Sequence, residues 1–144
     1  MDERLWIGFD LGGTKMIAAL LNEELKVVES KKKATKGQGG ADQGLERIID
    51  LIHKTLEEAN ASVEQLGGIG IGCPGVVDHR NGVLREAPNL GWKEVPVQSV
   101  ISAHFGVPVS VLNDVDAGAY GEYAAGAGRG VESLVAVFPG TGIG

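Results

Sequence analysis

Residues 6–21 read WIGFDLGGTKMIAALL, two apolar runs separated by a polar turn that contains a glycine pair. Apolar runs of this length on either side of a Gly-Gly turn predict a β-hairpin. The polar residues 22–24 end the second run, and the stretch 26–30 predicts a third strand. We therefore expect an antiparallel meander at one edge of a sheet.

Helices and strands alternate after this meander. Two segments carry apolar residues at helical spacing, a third is rich in small residues, and a short apolar run follows each of them. A strand after each helix predicts an α/β sheet with parallel crossovers. Asp42 is the expected N-cap of the first helix, and Asn81-Gly82 predicts a tight turn. The predicted helices are 45–59, 97–105 and 116–125, and the strands after them are 68–73, 107–112 and 134–138.

Glycine is unusually frequent in this chain. It makes up 23 of the 144 residues, about 16%, against about 7% in typical proteins. Because 43% of the residues are apolar and 22% are charged, the composition is that of a globular protein rather than a disordered one. The glycines must therefore lie in ordered backbone, in a chain long enough for about one domain.

Charge, cysteine content and hydropathy exclude several classes of protein. The net charge of −6 disfavours a nucleic-acid-binding surface, and the basic run of Lys31–Lys33 and Lys36 is expected to be a solvated strand edge. Cys73 is the only cysteine, so no intramolecular disulfide forms and a cytoplasmic location is expected. We find no apolar run of membrane-spanning length and no signal peptide. The three histidines, which show no metal-ligand spacing, are His53, His79 and His104.

The first hairpin carries residues suited to a polyphosphate. Gly12-Gly13-Thr14-Lys15 follows the first strand, and a similar turn recurs at Gly140-Thr141-Gly142. Glycines let backbone N–H groups approach phosphate oxygens, and the hydroxyl and ammonium groups add donors, although the spacing is not that of a Walker A loop. Asp10 adds a carboxylate that can hold Mg²⁺ through water. The alternative is an ordinary glycine-rich hairpin with a lysine on its flank.

Asn113 and Asp114 end a predicted strand, and ligands of open α/β sheets bind beyond the carboxyl ends of the strands. A carboxylate at that place can take the proton of a hydroxyl nucleophile during phosphoryl transfer. The amide of Asn113 offers a donor and an acceptor to a sugar hydroxyl. The alternative is that this pair supplies the N-cap of the helix that begins near Val115.

Three further features have both a functional and a structural interpretation. The polar loop 86–92 can contact a saccharide through Asn89, or it is an ordinary surface turn. Cys73 is expected to be a small buried hydrophobe rather than a reactive thiol, because no cationic neighbour is evident. Glu122 is expected to be a helix-surface charge rather than a catalytic group.

Five segments, taken in order, resemble the ROK family of bacterial sugar kinases and sugar-responsive repressors. Any one of them is common, and their order over the whole chain makes the resemblance specific. Pro139 departs from the family pattern, which has an aliphatic residue at that position. The segments are 9–15 (FDLGGTK), 69–78 (IGIGCPGVVD), 87–92 (APNLGW), 112–117 (LNDVDA) and 140–144 (GTGIG).

The resemblance is to a glucokinase-type member, which implies ATP, Mg²⁺ and phosphorylation of a hexose, glucose first, at its 6-hydroxyl. It implies the α/β actin-like ATPase fold of two lobes, with residues 1–116 as the first lobe and 117–144 as the start of the second. By position, Asp114 resembles the catalytic base of the family. The implied sugar-binding residues are Gly75, Asn89, Asn113 and Asp114. The implied nucleotide-binding residues are Asp10, Gly12, Gly13, Thr14 and Lys15, then Gly140, Thr141 and Gly142, with Asp10 also facing Mg²⁺.

The family also implies a homodimer at full length and a structural zinc site in the half of a typical member that follows Gly144. We therefore expect this piece alone to lack kinase activity. One alternative is a repressor of the same family, which the net charge and a first strand near Leu5 disfavour, because no room is left for a preceding DNA-binding domain. Another is a non-catalytic nucleotide- or sugar-binding module, against which Asp10 and Asp114 argue. Other hexoses as acceptor and polyphosphate as donor stay open.

Overall fold

The computed structural model describes residues 3–139, and within them the chain forms eight strands and three α-helices. Short 3-10 turns at Gly37–Gly39 and Val63–Gln65 flank the first helix. The elements are β1 (Leu5–Leu11), β2 (Lys15–Leu21), β3 (Val27–Ala34), α1 (Ala41–Glu58), β4 (Leu66–Cys73), β5 (Val76–Asp78), β6 (Val83–Ala87), β7 (Trp92–Val95), α2 (Val97–Phe105), β8 (Val109–Asn113) and α3 (Asp114–Ala125).

The main sheet has five strands in the order β3-β2-β1-β4-β8. β2 pairs antiparallel with both β1 and β3, which confirms the predicted meander. β4 pairs in parallel with both β1 and β8, which confirms the predicted crossovers. Because β1, β4 and β8 run in the same direction, their carboxyl ends meet at one edge of the sheet.

Helices α1 and α2 cover one face of this sheet, and α3 lies on the other. Residues on the strands alternate between the two faces, as the period of two requires. On β1 the residues buried beneath the helices are Leu5, Ile7, Phe9 and Leu11. The apolar residues that α1 and α2 bury against them are Leu45, Ile48, Leu51, Ile52, Leu56, Val97, Ile101 and Phe105.

The strands β5, β6 and β7 form a second sheet. This sheet follows β4 in the chain and therefore begins at the carboxyl edge of the main sheet. The predicted turn at Asn81-Gly82 is confirmed, because it joins the antiparallel strands β5 and β6, and Gly82 has a φ of 65°. The prediction of a loop over 86–92 is too long. β6 continues to Ala87 and β7 begins at Trp92, which leaves only 88–91 as the turn.

Two local predictions are wrong. The segment 134–138 has no regular structure, and Val135 and Val137 are 90% and 65% exposed. An apolar run becomes a strand only when another strand accepts its hydrogen bonds, and within residues 3–139 none pairs with this segment. The N-cap of α1 is Gly40, with a φ of 86°, rather than Asp42. Asp42 lies in the first turn, where its charge is still favourable to the helix dipole.

Helix α3 crosses residue 116 without interruption, and the division of the chain into lobes at that residue stays a prediction. Within the described residues, none of the helices combines the length and the apolar character needed to cross a bilayer.

Candidate active site

Two carboxylates lie at the carboxyl edge of the main sheet. Asp10 on β1 is level with Gly72 on β4, and Gly72 is level with Leu112 on β8, two residues before Asp114. The absence of a side chain at Gly72 brings α3 close, since a Cβ there would lie 3.5 Å from the Cα of Asp114. The first turn of α3 therefore stands beside the end of β1.

The charges of these two carboxylates act on each other and on a neighbouring thiol. The pKa of Asp10 is raised, mainly by partial burial and then by the negative charge of Asp114, while Lys15 lowers it. Burial, followed by the charges of Asp114 and Asp10, raises the pKa of Cys73 to about 12. The charge of Asp114 thus acts on both Asp10 and Cys73, which agrees with the short distance between Gly72 and Asp114. Repulsion of this kind is relieved by a bound cation or by uptake of a proton.

The edge fits Mg²⁺ in the form that this ion takes at phosphate sites. Mg²⁺ is held there by one or two carboxylates, with water and phosphate oxygens as the other ligands. Asp10 supplies one such carboxylate, and residues 3–139 contain no cluster of three or more acidic, histidine or cysteine side chains that would cage a metal. A site of this composition would take its remaining ligands from water and from a phosphate.

Cys73 is fully buried, which confirms its expected role as a small hydrophobe. We predict that its thiol resists alkylation in the native protein. With a pKa of about 12 against the ordinary 9.0, the thiolate fraction at pH 8 falls about a thousandfold, and the side chain is also out of contact with solvent. Mass spectrometry of the peptide that carries Cys73, after iodoacetamide treatment with and without denaturant, measures this. Equal labelling in both conditions would contradict the prediction.

The turn between β1 and β2 presents backbone donors. Gly12 donates its N–H to the carbonyl of Lys15 at 3.0 Å, and a Cβ on Gly12 would lie 2.4 Å from that oxygen, so the turn requires glycine. Among the described residues, the N–H groups of Gly13 and Thr14 have no acceptor. Two free N–H groups, a hydroxyl and the Lys15 ammonium are thus grouped in one turn beside Asp10.

A threonine that the sequence analysis did not identify holds this turn in place. The hydroxyl of Thr35, which is fully buried after β3, donates to the carbonyl of Gly12 at 2.8 Å. The N–H of Thr35 donates to the carbonyl of Thr14, also at 2.8 Å. Arg47 on α1 donates in turn to the carbonyls of Thr35, at 3.1 Å, and Ala34. Hydrogen bonds therefore hold the candidate phosphate turn against the end of β3 and, through Arg47, against α1.

We predict that Thr35→Val destabilises the full-length gene product by about 1–3 kcal/mol, since valine has nearly the same shape and leaves the Gly12 carbonyl without its donor. Chemical denaturation followed by circular dichroism measures the change. Thr35→Ser is the matched control, because it keeps the hydroxyl and loses only a methyl group. A valine variant as stable as the serine variant would contradict the role of this hydrogen bond.

Asn89 lies against the same turn. A Cβ on Gly13 would be 3.6 Å from the Cβ of Asn89, so the loop 88–91 stands beside the candidate phosphate turn. The loop is closed by hydrogen bonds from the N–H of Leu90 to Ala87, at 3.0 Å, and from Gly91 to Pro88, at 3.1 Å. The exposed side chain of Asn89 is therefore held on a tight turn rather than on a flexible loop.

Asn113 links the loop after β4 to the start of α3. Its Nδ2 donates to the carbonyl of Gly75 at 2.8 Å, and its Oδ1 accepts the N–H groups of Val115, at 2.9 Å, and Asp116, at 3.5 Å. The alternative of a helix N-cap is thus confirmed for Asn113. Gly75 has a φ of 84°, and a Cβ on it would lie 2.1 Å from the carbonyl oxygen of Glu86, so only glycine fits there. Direct sugar binding by Asn113 and Gly75 stays a prediction.

The structure brings the predicted residues into two adjoining groups. One is the turn Gly12–Lys15 with Asp10 and Asn89, and the other is Gly75 with Asn113 and Asp114. Asp10 and Asp114 both line a cavity of about 1160 Å³ on the face of the sheet that carries α3. Glu122 is an exposed residue of α3, as expected. The second predicted phosphate turn, Gly140, Thr141 and Gly142, lies outside the described residues.

Comparison with known proteins identifies the family. The model of the ROK family matches residues 6–144. The chain belongs to the ROK family. A glucokinase from Streptomyces coelicolor is 35% identical over 140 residues, 97% of this chain and 42% of the relative. A xylose repressor from Caldicellulosiruptor bescii is 33% identical over 138 residues, 96% of this chain and 35% of the repressor.

Solved structures of the ROK family show the same fold. The crystal structure of a ROK family glucokinase from Streptomyces griseus in complex with glucose and AMPPNP matches with a TM-score of 0.84 and 34% identity. The match covers 97% of this chain and 43% of that glucokinase. The α/β fold is therefore that of the actin-like ATPases, and the chain spans less than half the length of these ROK relatives.

Proposed function

We propose that this chain supplies the first lobe of an ATP-dependent hexose kinase that phosphorylates glucose at its 6-hydroxyl. The observation that carries the proposal is the exposed Asp114 at the carboxyl edge of the sheet, beside Asp10 and a glycine turn rich in donors. Phosphoryl transfer to an alcohol needs both parts, a base for the hydroxyl proton and donors for the phosphate oxygens. The similarity to proteins named glucokinase supports this activity and this sugar.

Asp114 is the catalytic base in this proposal. It takes the proton of the sugar hydroxyl as that oxygen attacks the γ-phosphorus, whose bond to the bridging oxygen breaks, and the nucleoside diphosphate leaves. One carboxylate oxygen of Asp114 accepts the N–H of Val115 at 2.9 Å, which holds the carboxylate at the start of α3.

Asn89 and Asn113 hold the sugar, and the turn Gly12–Lys15 orients the phosphates. Asn89 stands beside Gly13, and this proximity supports its contact with a sugar next to the phosphate chain. Positioning of the two reactants next to each other is a large part of catalysis in phosphoryl transfer. Bound Mg²⁺ supplies neutralisation of the phosphate charge, and Asp10 would hold it, through water.

Several wider features belong to the same proposal. The first lobe comprises residues 1–116, the second begins at 117, and Gly140, Thr141 and Gly142 form its phosphate turn. The full-length protein is a cytoplasmic homodimer with hexose and ATP as ligands, and it binds neither nucleic acid nor membrane.

A second candidate is the sugar-binding part of a repressor, which the similarity to a xylose repressor supports. A coupled assay of the full-length gene product with glucose and ATP separates the two. We expect phosphorylation of glucose by the full-length protein and none by residues 1–144 alone, since half of the cleft is then absent. A full-length protein that binds sugar without phosphorylating it, and retards a specific DNA in a gel, would favour the repressor. Activity of residues 1–144 alone would contradict the need for a second lobe.

A further inference from the structure

Two histidines that are far apart in the sequence meet on the outer surface of the helical layer. His53 on α1 and His104 on α2 have their Nε2 atoms 2.8 Å apart. Both side chains are exposed, so ions in solution can reach the nitrogens. The separation of 51 residues gave no metal-ligand spacing in the sequence, and only the packing of α1 on α2 reveals the pair.

The two rings are held in place by a buried aromatic side chain. Phe105, which is 5% exposed, contacts both, with ring centroids 4.9 Å from His53 and 4.7 Å from His104. The two imidazole rings are themselves 5.1 Å apart and nearly perpendicular. Because Phe105 fixes both neighbours, the approach of the two nitrogens is part of the interface between the helices.

The short distance has a definite chemical meaning. Two neutral imidazole nitrogens at 2.8 Å share one proton, which one ring donates and the other accepts. A metal ion can replace that proton and be bound by both nitrogens. With metal–nitrogen bonds of about 2.0 Å, two nitrogens at a right angle lie about 2.8 Å apart, whereas tetrahedral ligands lie about 3.3 Å apart. A right angle is typical of the tetragonal N,O sites of Cu²⁺ and Ni²⁺.

The carboxylate of Asp50 lies near the histidine pair and is already engaged by two lysines. Asp50 lies one turn before His53 on α1, and its carboxylate pairs with Lys33 of β3 and Lys54 of α1. Because these ion pairs engage the carboxylate of Asp50, the proposed ligands are the two imidazoles alone.

We propose that His53 and His104 form a surface chelate for a divalent transition metal of the Cu²⁺ or Ni²⁺ type, with water as the remaining ligands. A metal bound in this way links α1 to α2 on the side of the sheet opposite to the two carboxylates. It is distinct from the Asp10 and Asp114 edge in position and in ligand type.

Calorimetric titration of the full-length gene product with Ni²⁺ at pH 7.5 tests the proposal. We expect His53→Gln and His104→Gln each to raise the dissociation constant of one site at least about tenfold, because a bidentate chelate becomes a single ligand. His79→Gln is the matched control and should bind as the unchanged protein does. Any further metal site elsewhere in the full-length protein contributes equally to all four proteins.

A second measurement on the unchanged protein needs no variant. Ni²⁺ should raise its melting temperature at pH 7.5 and have a much smaller effect at pH 5, because protons compete with the metal for imidazole nitrogens. Loss of binding in only one of the two histidine variants would show an ordinary single-histidine contact and overturn the proposal. Titrations that are the same in both variants and in the unchanged protein would overturn it as well.

Discussion

We expect Asp114→Asn to lower the kcat of the full-length protein for glucose by a factor of about 10²–10⁴, the range that a positioned general base contributes. Asparagine has the same shape and keeps an oxygen for the N–H of Val115, but its amide cannot take a proton from the sugar hydroxyl. The KM for glucose should change far less than kcat, because the side chain can still form a hydrogen bond to the substrate. Steady-state kinetics with a coupled assay measures both constants.

Asp116→Asn is the matched control for this substitution. Asp116 is also an exposed carboxylate in the first turn of α3. Loss of its charge removes the same kind of favourable interaction with the helix dipole. The control should keep its kcat. If Asp114→Asn also kept kcat, or if both variants lost it equally, Asp114 would not be the base.

The same variant has a readout that does not involve catalysis. The charge of Asp114 contributes to raising the pKa of Asp10, so its removal should move that pKa downward, towards the ordinary value of 3.8. A carbon-detected NMR titration of the Asp10 carboxyl group follows this shift. An unchanged pKa would show that the two carboxylates do not interact across the sheet edge.

The local parts of this site could be predicted from the sequence. The glycine pair between two apolar runs predicts the hairpin, and the position of Asn113-Asp114 after an apolar strand predicts the carboxyl edge. Both conclusions need only short-range patterns, turn residues and the geometry of parallel strands. The failed strand at 134–138 marks the limit of such patterns, because strand formation depends on a partner that a local apolar run does not specify.

The supports of the site could not be predicted, because each depends on contacts between distant residues. Thr35 follows a run of lysines and has no pattern that points to Gly12, 23 residues earlier. Gly44 could not be explained from the sequence either, because a glycine inside a helix normally lowers the stability of that helix. The reason for a glycine at this position is visible only in the structure, where the ring of Trp92 occupies the space that a side chain would need.

We expect Trp92→Ala to have the largest effect on stability, about 3–5 kcal/mol, as is usual for truncation of a buried aromatic side chain. Trp92 is 2% exposed, its indole N–H donates to the carbonyl of Gly37 at 3.2 Å, and its ring covers Gly44. The neighbouring Leu90 packs on Gly37, where a Cβ would lie 2.7 Å from its Cδ2. Chemical denaturation of the full-length protein measures the loss. Because Asn89 lies on the turn that leads into Trp92, the KM for glucose should rise as well.

The close contact between Gly44 and Trp92 reverses the usual effect of a helix substitution. Gly→Ala inside a helix normally stabilises by about 1 kcal/mol. A Cβ on Gly44, however, would lie 2.1 Å from Cζ2 of Trp92, so we expect Gly44→Ala to destabilise by about 1–3 kcal/mol, the cost of overpacking. Gly121→Ala in α3 is the matched control, because no atom of residues 3–139 lies within 4 Å of its Cβ position and the ordinary gain should appear. In the Trp92→Ala background, Gly44→Ala should no longer destabilise, since the ring that it would meet is gone. A destabilisation of the same size in that background would show that the indole is not the cause.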